Sequence, residues 1–218
     1  MTAEMAGRVQ VQHVNVKIFA EDTAGVDLAE AIPVFHRWIQ ESVCEELLID
    51  VADYRHVPAG PGVLLVGHEA NYSLDLSEWR LGLLYNRKAA TDDNPRENLT
   101  QAFRAALTAC QRLEQEPEFR GKLKFNAAEY EVILNDRLLA PNTEATWQAL
   151  KADFENFFSS LYGVGYTLDR PGDPRERFRV VVKASGAVDA LTLLQALDLG
   201  GRSAALYGHS LSRVSQRS

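Results

Sequence analysis

The sequence predicts an α+β protein: a largely antiparallel sheet of about seven or eight strands, accompanied by four helices. Three observations predict it. Segments with apolar residues at every second position alternate with segments whose apolar residues recur every three or four. Around Leu76–Trp79 one strand-like segment passes to the next through a short turn, which antiparallel pairing allows and parallel pairing does not. The 218 residues are 46% hydrophobic and 24% charged, enough for one large soluble domain or two small ones with a shared core.

The first strand lies in Val9–Ala20, with Val14, Val16, Ile18 and Ala20 on one side and His13, Asn15 and Lys17 on the other. A helix follows over Asp27–Val43, its apolar stripe formed by Leu28, Ile32, Phe35, Ile39 and Val43. Asp27 and Glu30 have the spacing of a capping box, and Pro33 either bends this helix or marks its first turn. Glu46–Tyr54 reads as a second strand and Arg55–Gly62 as a loop with two prolines and two glycines. Pro61–Asp75 reads as one long third strand, and Arg80–Lys88 returns as its hairpin partner. Asn94, Pro95 and Glu97 start a helix as N-cap, first helical residue and box partner. Its buried stripe is Leu99, Phe103, Ala106, Leu107, Cys110 and Leu113.

Lys122–Arg137 is one long strand or two joined at a kink. The helix from Asn142 or Thr143 to Gly163 carries Trp147, Leu150, Phe154, Phe157, Phe158 and Leu161 at helical spacing. Strands at Gly165–Arg170 and Arg177–Ser185 follow, then a short helix Ala187–Leu199 closed by Gly200 and Gly201. A shift of 115 residues aligns the two halves, setting Ile18 on Ile133, Phe35 on Leu150 and Val66 on Val181. The pattern admits two related βαββα (ferredoxin-like) halves, the first with an extra hairpin. The boundaries expected are 1–116 for the first half, 117–200 for the second, packed as one unit, and 201–218 for a flexible polar tail.

A net charge of −7 and a pI of about 5.3 argue against nucleic acid or an anionic membrane as partners. No apolar run approaches a membrane span, and the first residues lack the apolar core of a signal peptide. Two cysteines, Cys44 and Cys110, give no disulfide framework and suit a reducing cytoplasm. Arg170, Arg175, Arg177 and Arg179 form a basic cluster broken by Asp169, Asp173 and Glu176, which reads as a solvated loop and strand face.

Pro61–Asp75 raises the question of chemistry, because its second half is polar. As one continuous strand it places Leu64, Val66, His68, Ala70, Tyr72 and Leu74 on an apolar face. Glu69, Asn71, Ser73 and Asp75 then make a wet one, so architecture alone accounts for the pattern. The functional reading gathers Tyr54, Arg55 and His56 from the preceding loop with His68, Glu69, Asn71 and Arg87 around one anionic ligand or acid–base centre. His13, His56 and His68 would have to converge to hold a metal, but no metal-binding spacing is present and no metal site is assigned. Asn135, Asp136 and Arg137 read as a turn with local side-chain hydrogen bonds. No dinucleotide fingerprint, phosphate loop or nucleophile elbow occurs, and no cofactor is indicated.

Two functions therefore stand open. The first is a cytoplasmic ligand-binding or self-associating, homo-oligomeric module without a catalytic motif. The second is a small-molecule enzyme using acid–base or metal chemistry around the Tyr54–His56 loop and the His68–Asn71 strand end.

Overall fold

The computed structural model describes residues 9–21, 23–91, 94–186 and 188–198. Its strands are β1 (Val14–Ala20), β2 (Leu48–Tyr54), β3 (Gly62–Gly67), β4 (Ala70–Asp75), β5 (Gly82–Arg87), β6 (Phe125–Leu134), β7 (Tyr166–Asp169) and β8 (Phe178–Ala184). Helices α1 (Ala31–Glu41), α2 (Pro95–Gln115), α3 (Glu144–Tyr162) and α4 (Ala190–Asp198) complete the α+β architecture. The strands form one eight-stranded sheet in the order β2-β3-β4-β5-β1-β6-β8-β7. Every neighbouring pair in it is antiparallel. Outward from the central β1–β6 pair, one half runs β6-β8-β7, and the other β1-β3-β2 once the β4–β5 hairpin is set aside. Gly200, Gly201 and the tail lie outside the described residues.

The helices share one face of the sheet. Alternation along the strands sends Val14, Val16 and Ile18, Leu83 and Tyr85, Tyr130 and Val132, and Val180 and Val182 to that face, where all are buried. There α2 crosses β1 and β5, α1 lies on β2 and β3, and α4 packs on α2 and α3. Phe103 of α2 meets Tyr130, Phe157 and Phe158 at ring separations of 5.2–5.5 Å, joining two helices and a strand. Caps fix the helix ends: Asn94 accepts from Glu97 N, Thr143 accepts from Thr146 N, and Gly163 ends α3 at φ 66°. Pro33 falls in the first turn of α1, where its missing N–H breaks no bond. Asp27 instead caps the preceding 3-10 turn, Leu28–Glu30, by accepting from Ala29 N.

The structure corrects the expected long strand Pro61–Asp75. It is a hairpin, β3 and β4, whose two connecting residues are His68 and Glu69. Pairing Leu65 with Tyr72 and Val66 with Asn71 inverts the phase of every residue before the turn. Val63 and Leu65, rather than Leu64 and Val66, therefore join Ala70, Tyr72 and Leu74 in the core. Two adjacent apolar pairs, Val63–Leu64 and Leu65–Val66, fit either phase, which is why alternation alone did not reveal the turn. At the other end of β3 the backbone of Gly62 sits at φ +63°, and a Cβ there would lie 2.0 Å from the Leu74 carbonyl oxygen.

Candidate functional site

The residues singled out from sequence do not meet in one place. Arg55 and His56 follow β2 at one end of the β2–β3 hairpin; His68 and Glu69 occupy the turn at the other. Six strand residues separate them, a span of roughly 20 Å. Arg55 is committed to Asp53, its Nη2 2.8 Å from Oδ2, and His56 stacks on Tyr54 at 6.2 Å in an exposed loop. His68 is exposed in its turn, where its backbone N–H donates to the Leu47 carbonyl, and is not a core residue. Glu69 pairs with Arg87 at 3.1 Å, and Asn71 accepts weakly from Gly67 N at 3.4 Å. These contacts brace the hairpin against its neighbours.

His13, His56 and His68 likewise stand apart, with His13 3.5 Å from Asp136 at the start of β1. Among the described residues no group of three or more His, Cys, Asp and Glu side chains is placed to hold a metal ion. The Asn135–Arg137 turn forms as expected, Asp136 accepting from the backbone N–H groups of Leu138 and Leu139.

The sheet face opposite the helices carries the most concentrated chemistry. Strand alternation sets Asn15, Lys17 and Phe19 of β1, Ser73 and Asp75 of β4, Glu131 and Ile133 of β6, and Arg179 of β8 on this face. An uncovered sheet would leave them wet. Here Asn15, Lys17, Phe19, Ser73, Asp75, Glu131 and Ile133 are all buried. Contacts from the segment joining β4 to β5 explain part of this cover. Lys17 Nζ donates to Asp75 Oδ1 at 2.6 Å and to the Ser77 carbonyl at 3.0 Å. Arg80 lies 3.6 Å from the ring centre of Phe19, a cation–π contact, and Glu78 reaches Arg179 at 2.6 Å. Glu78 and Trp79 adopt left-handed φ of 59° and 60°, a costly backbone for non-glycine residues.

Between this segment and residues 175–177 lies a cavity of about 260 Å³. Lys17, Glu131, Arg137, Arg177 and Arg179 are among its lining residues. The solvated face expected of the arginine cluster is seen at Arg175 and Arg177, both exposed. Arg175, Arg177 and Arg179 sit at i, i+2, i+4 entering a strand, and all three line the cavity rather than only facing bulk water. That spacing was the signal available in the sequence.

The cations are not equivalent. Lys17 is neutralised by Asp75, and Arg179 is shared by Glu78, Glu131 and Glu176 at 2.6, 3.4 and 3.4 Å. Arg177 donates to the neutral Asn135 side chain at 3.1 Å, and no carboxylate pairs with Arg177 or Arg137 among the described residues. Burial pushes the Glu131 carboxyl above its ordinary value, opposed by the charge of Arg179. Deeper in the same face, both amide atoms of Asn15 and the Oδ1 of Asn86 are buried without a protein partner.

A second, smaller cavity of about 130 Å³ opens on the helical side between α1 and α2, lined by Trp38, Cys44, Glu46, Tyr72 and Arg112 among others. Tyr72 donates its hydroxyl to Glu46 at 2.6 Å. Burial pushes the Cys44 thiol up to about 11, far from the range of a reactive nucleophile. Among the described residues no helix is long and apolar enough to cross a membrane, and both cysteines are free. No family model and no curated protein sequence matches this chain.

Proposed function

We propose that the chain is a binding module for a small anionic ligand, held in the cavity on the helix-free face of the sheet. The observation that carries this reading is the pair Arg137 and Arg177, two exposed guanidinium groups lining the cavity with no carboxylate partner among the described residues. A guanidinium presents paired N–H donors that match carboxylate or phosphate oxygens. Sulfate is a suitable probe. Calorimetric titration at low ionic strength should give saturable binding that Arg137→Ala and Arg177→Ala each weaken by tenfold or so, the value of one charge-assisted hydrogen bond. Unchanged sulfate affinity in the double variant would refute the reading.

A second observation favours self-association. β2 is an edge strand, and Leu47 and Ile49 on it or beside it are 70% and 54% exposed, with Tyr54 and Val57 also exposed at its far end. We infer that this edge pairs with a second copy, giving a homo-oligomer. Light scattering should then report a dimer that Ile49→Lys converts to monomer; a monomeric native protein at high concentration would rule the edge out. The low cysteine content supports a cytoplasmic setting. The element order common to the two halves supports descent from one duplicated unit. A single acid–base centre drawing on both the Tyr54–His56 loop and the His68–Asn71 turn finds no support, since β3 holds them apart.

A further inference from the structure

We propose that anion binding in the helix-free cavity is coupled to uptake of a proton at Glu131, so that occupancy rises as the pH falls. The inference rests on the anion-binding reading and adds its regulation. Its basis is an imbalance of charge around one guanidinium. Arg179 faces Glu131 from β8 at 3.4 Å, yet the same Nη1 is held more closely by Glu78 at 2.6 Å, and Nη2 is taken by Glu176 at 3.4 Å. Three carboxylates thus share one cation, and Glu131 has the most buried side chain of the three, 11% exposed against 59% and 47%.

From β1, Lys17 lies directly opposite Glu131 in the strand register, but its ammonium is already bonded to Asp75. From the segment after β4 come Glu78 and Arg80, and along β6 itself Glu129, which is paired with Arg80 at 3.1 Å and approaches Lys183 at 3.8 Å. Among the described residues no cation is thus dedicated to Glu131. An anion drawn in by Arg137 and Arg177 enters a cavity that Glu131, Glu78 and Glu176 also line, and meets their repulsion. Water solvates Glu78 and Glu176, so Glu131 is the carboxylate that burial already biases toward its neutral form. The anion and the proton therefore favour one another, and by linkage each strengthens binding of the other by the same factor.

The test is sulfate titration of the whole chain at pH 5.5 and 7.5, because sulfate itself does not titrate in this range. The wild type should bind sulfate roughly fivefold or more tightly at pH 5.5, the lower end of coupling between linked sites. Glu131→Gln should bind with the acid-form affinity at both pH values. His13, which is 3.5 Å from Asp136 beside Arg137, is the neighbouring group that could mimic the effect, and His13→Gln should keep the pH dependence. Wild-type titrations at pH 6 in two buffers of different ionisation enthalpy should show net proton uptake, a readout that needs no variant to fold. Zero proton uptake, or a pH dependence that survives Glu131→Gln, would overturn the coupling while leaving the anion site intact. Absence of sulfate binding at both pH values would overturn the anion site, and the coupling with it.

Discussion

Substituting Asp75 by Ala should destabilise the protein far more than loss of a surface ion pair would. Asp75 Oδ1 lies 2.6 Å from Lys17 Nζ, and the two side chains are 2% and 4% exposed. The same carboxylate accepts from the backbone N–H of Ser77 at 3.0 Å and from its hydroxyl at 2.8 Å, so it also fixes the segment that covers the cavity. Removing it leaves a buried ammonium whose remaining acceptor among the described residues is the Ser77 carbonyl. Breaking a buried pair from one side costs about 3–5 kcal/mol. At about 2–4 °C per kcal/mol for a chain of this size, the melting temperature should fall by roughly 6–20 °C. Urea unfolding of Asp75→Ala measures the loss directly. The double variant Lys17→Met, Asp75→Leu removes both charges together and should recover most of it, because the uncompensated ion is what costs. A loss below about 1 kcal/mol, the value of an exposed pair, would show that water reaches Lys17 and that this face is open. Equal loss in the single and double variants would show that shape, not charge, governs the site.

The remaining predictions concern the helical side. Phe158 is fully buried against Phe103, Phe154 and Phe157, so Phe158→Ala should cost about 3–5 kcal/mol in urea unfolding, with little change in the slope. With its thiol pushed up to about 11, Cys44 should have on the order of one part in a thousand as thiolate at pH 8 and resist iodoacetamide in the native state. Mass spectrometry should find the half-buried Cys44 labelled far more slowly in the native state than on unfolding, and the fully buried Cys110 only on unfolding; rapid native labelling of Cys44 would contradict its raised thiol.

The helices were legible because each carries independent, agreeing signals. In α2, Asn94 and Pro95 mark the start, and Leu99, Phe103, Leu107 and Cys110 keep one period, all pointing to the same buried face. In α3, Thr143, the phenylalanines and Gly163 do the same. The β3–β4 hairpin was not legible because its turn lacks the usual punctuation. Asn-Gly or Asp-Gly is the common signal for a two-residue loop, whereas His68–Glu69 contains no residue that demands a turn. The turn is instead specified from outside. Leu47 receives the His68 N–H, Glu69 accepts from the backbone N–H groups of Lys88 and Ala89, and Lys88 Nζ reaches the Gly67 carbonyl at 2.6 Å. Those partners lie just before β2 and just after β5, so no local window contains the information.

The site was missed for a related reason. Alternation reports which residues leave the apolar core, but not whether the other face reaches water. Lys17 and Glu131 sit at polar positions of strands, and on that basis alone each is solvent-facing. They become a site only because residues 76–80 and 175–177, far apart in sequence, fold onto the face that strands β1, β6 and β8 build side by side. The cover also changes their chemistry. In water the pairing of Lys17 with Asp75 would be worth little, and nothing would push the Glu131 carboxyl above its ordinary value. Under cover, charges that water no longer screens must find partners within the protein, and those that do not are available to a ligand. Arg137 and Arg177 lie outside that cover, as exposed residues that line the cavity with no carboxylate partner among the described residues, while Arg55 has spent its charge on Asp53 two residues away. A cluster of polar residues in sequence is thus a weaker guide to binding than an unpaired charge beside a cavity.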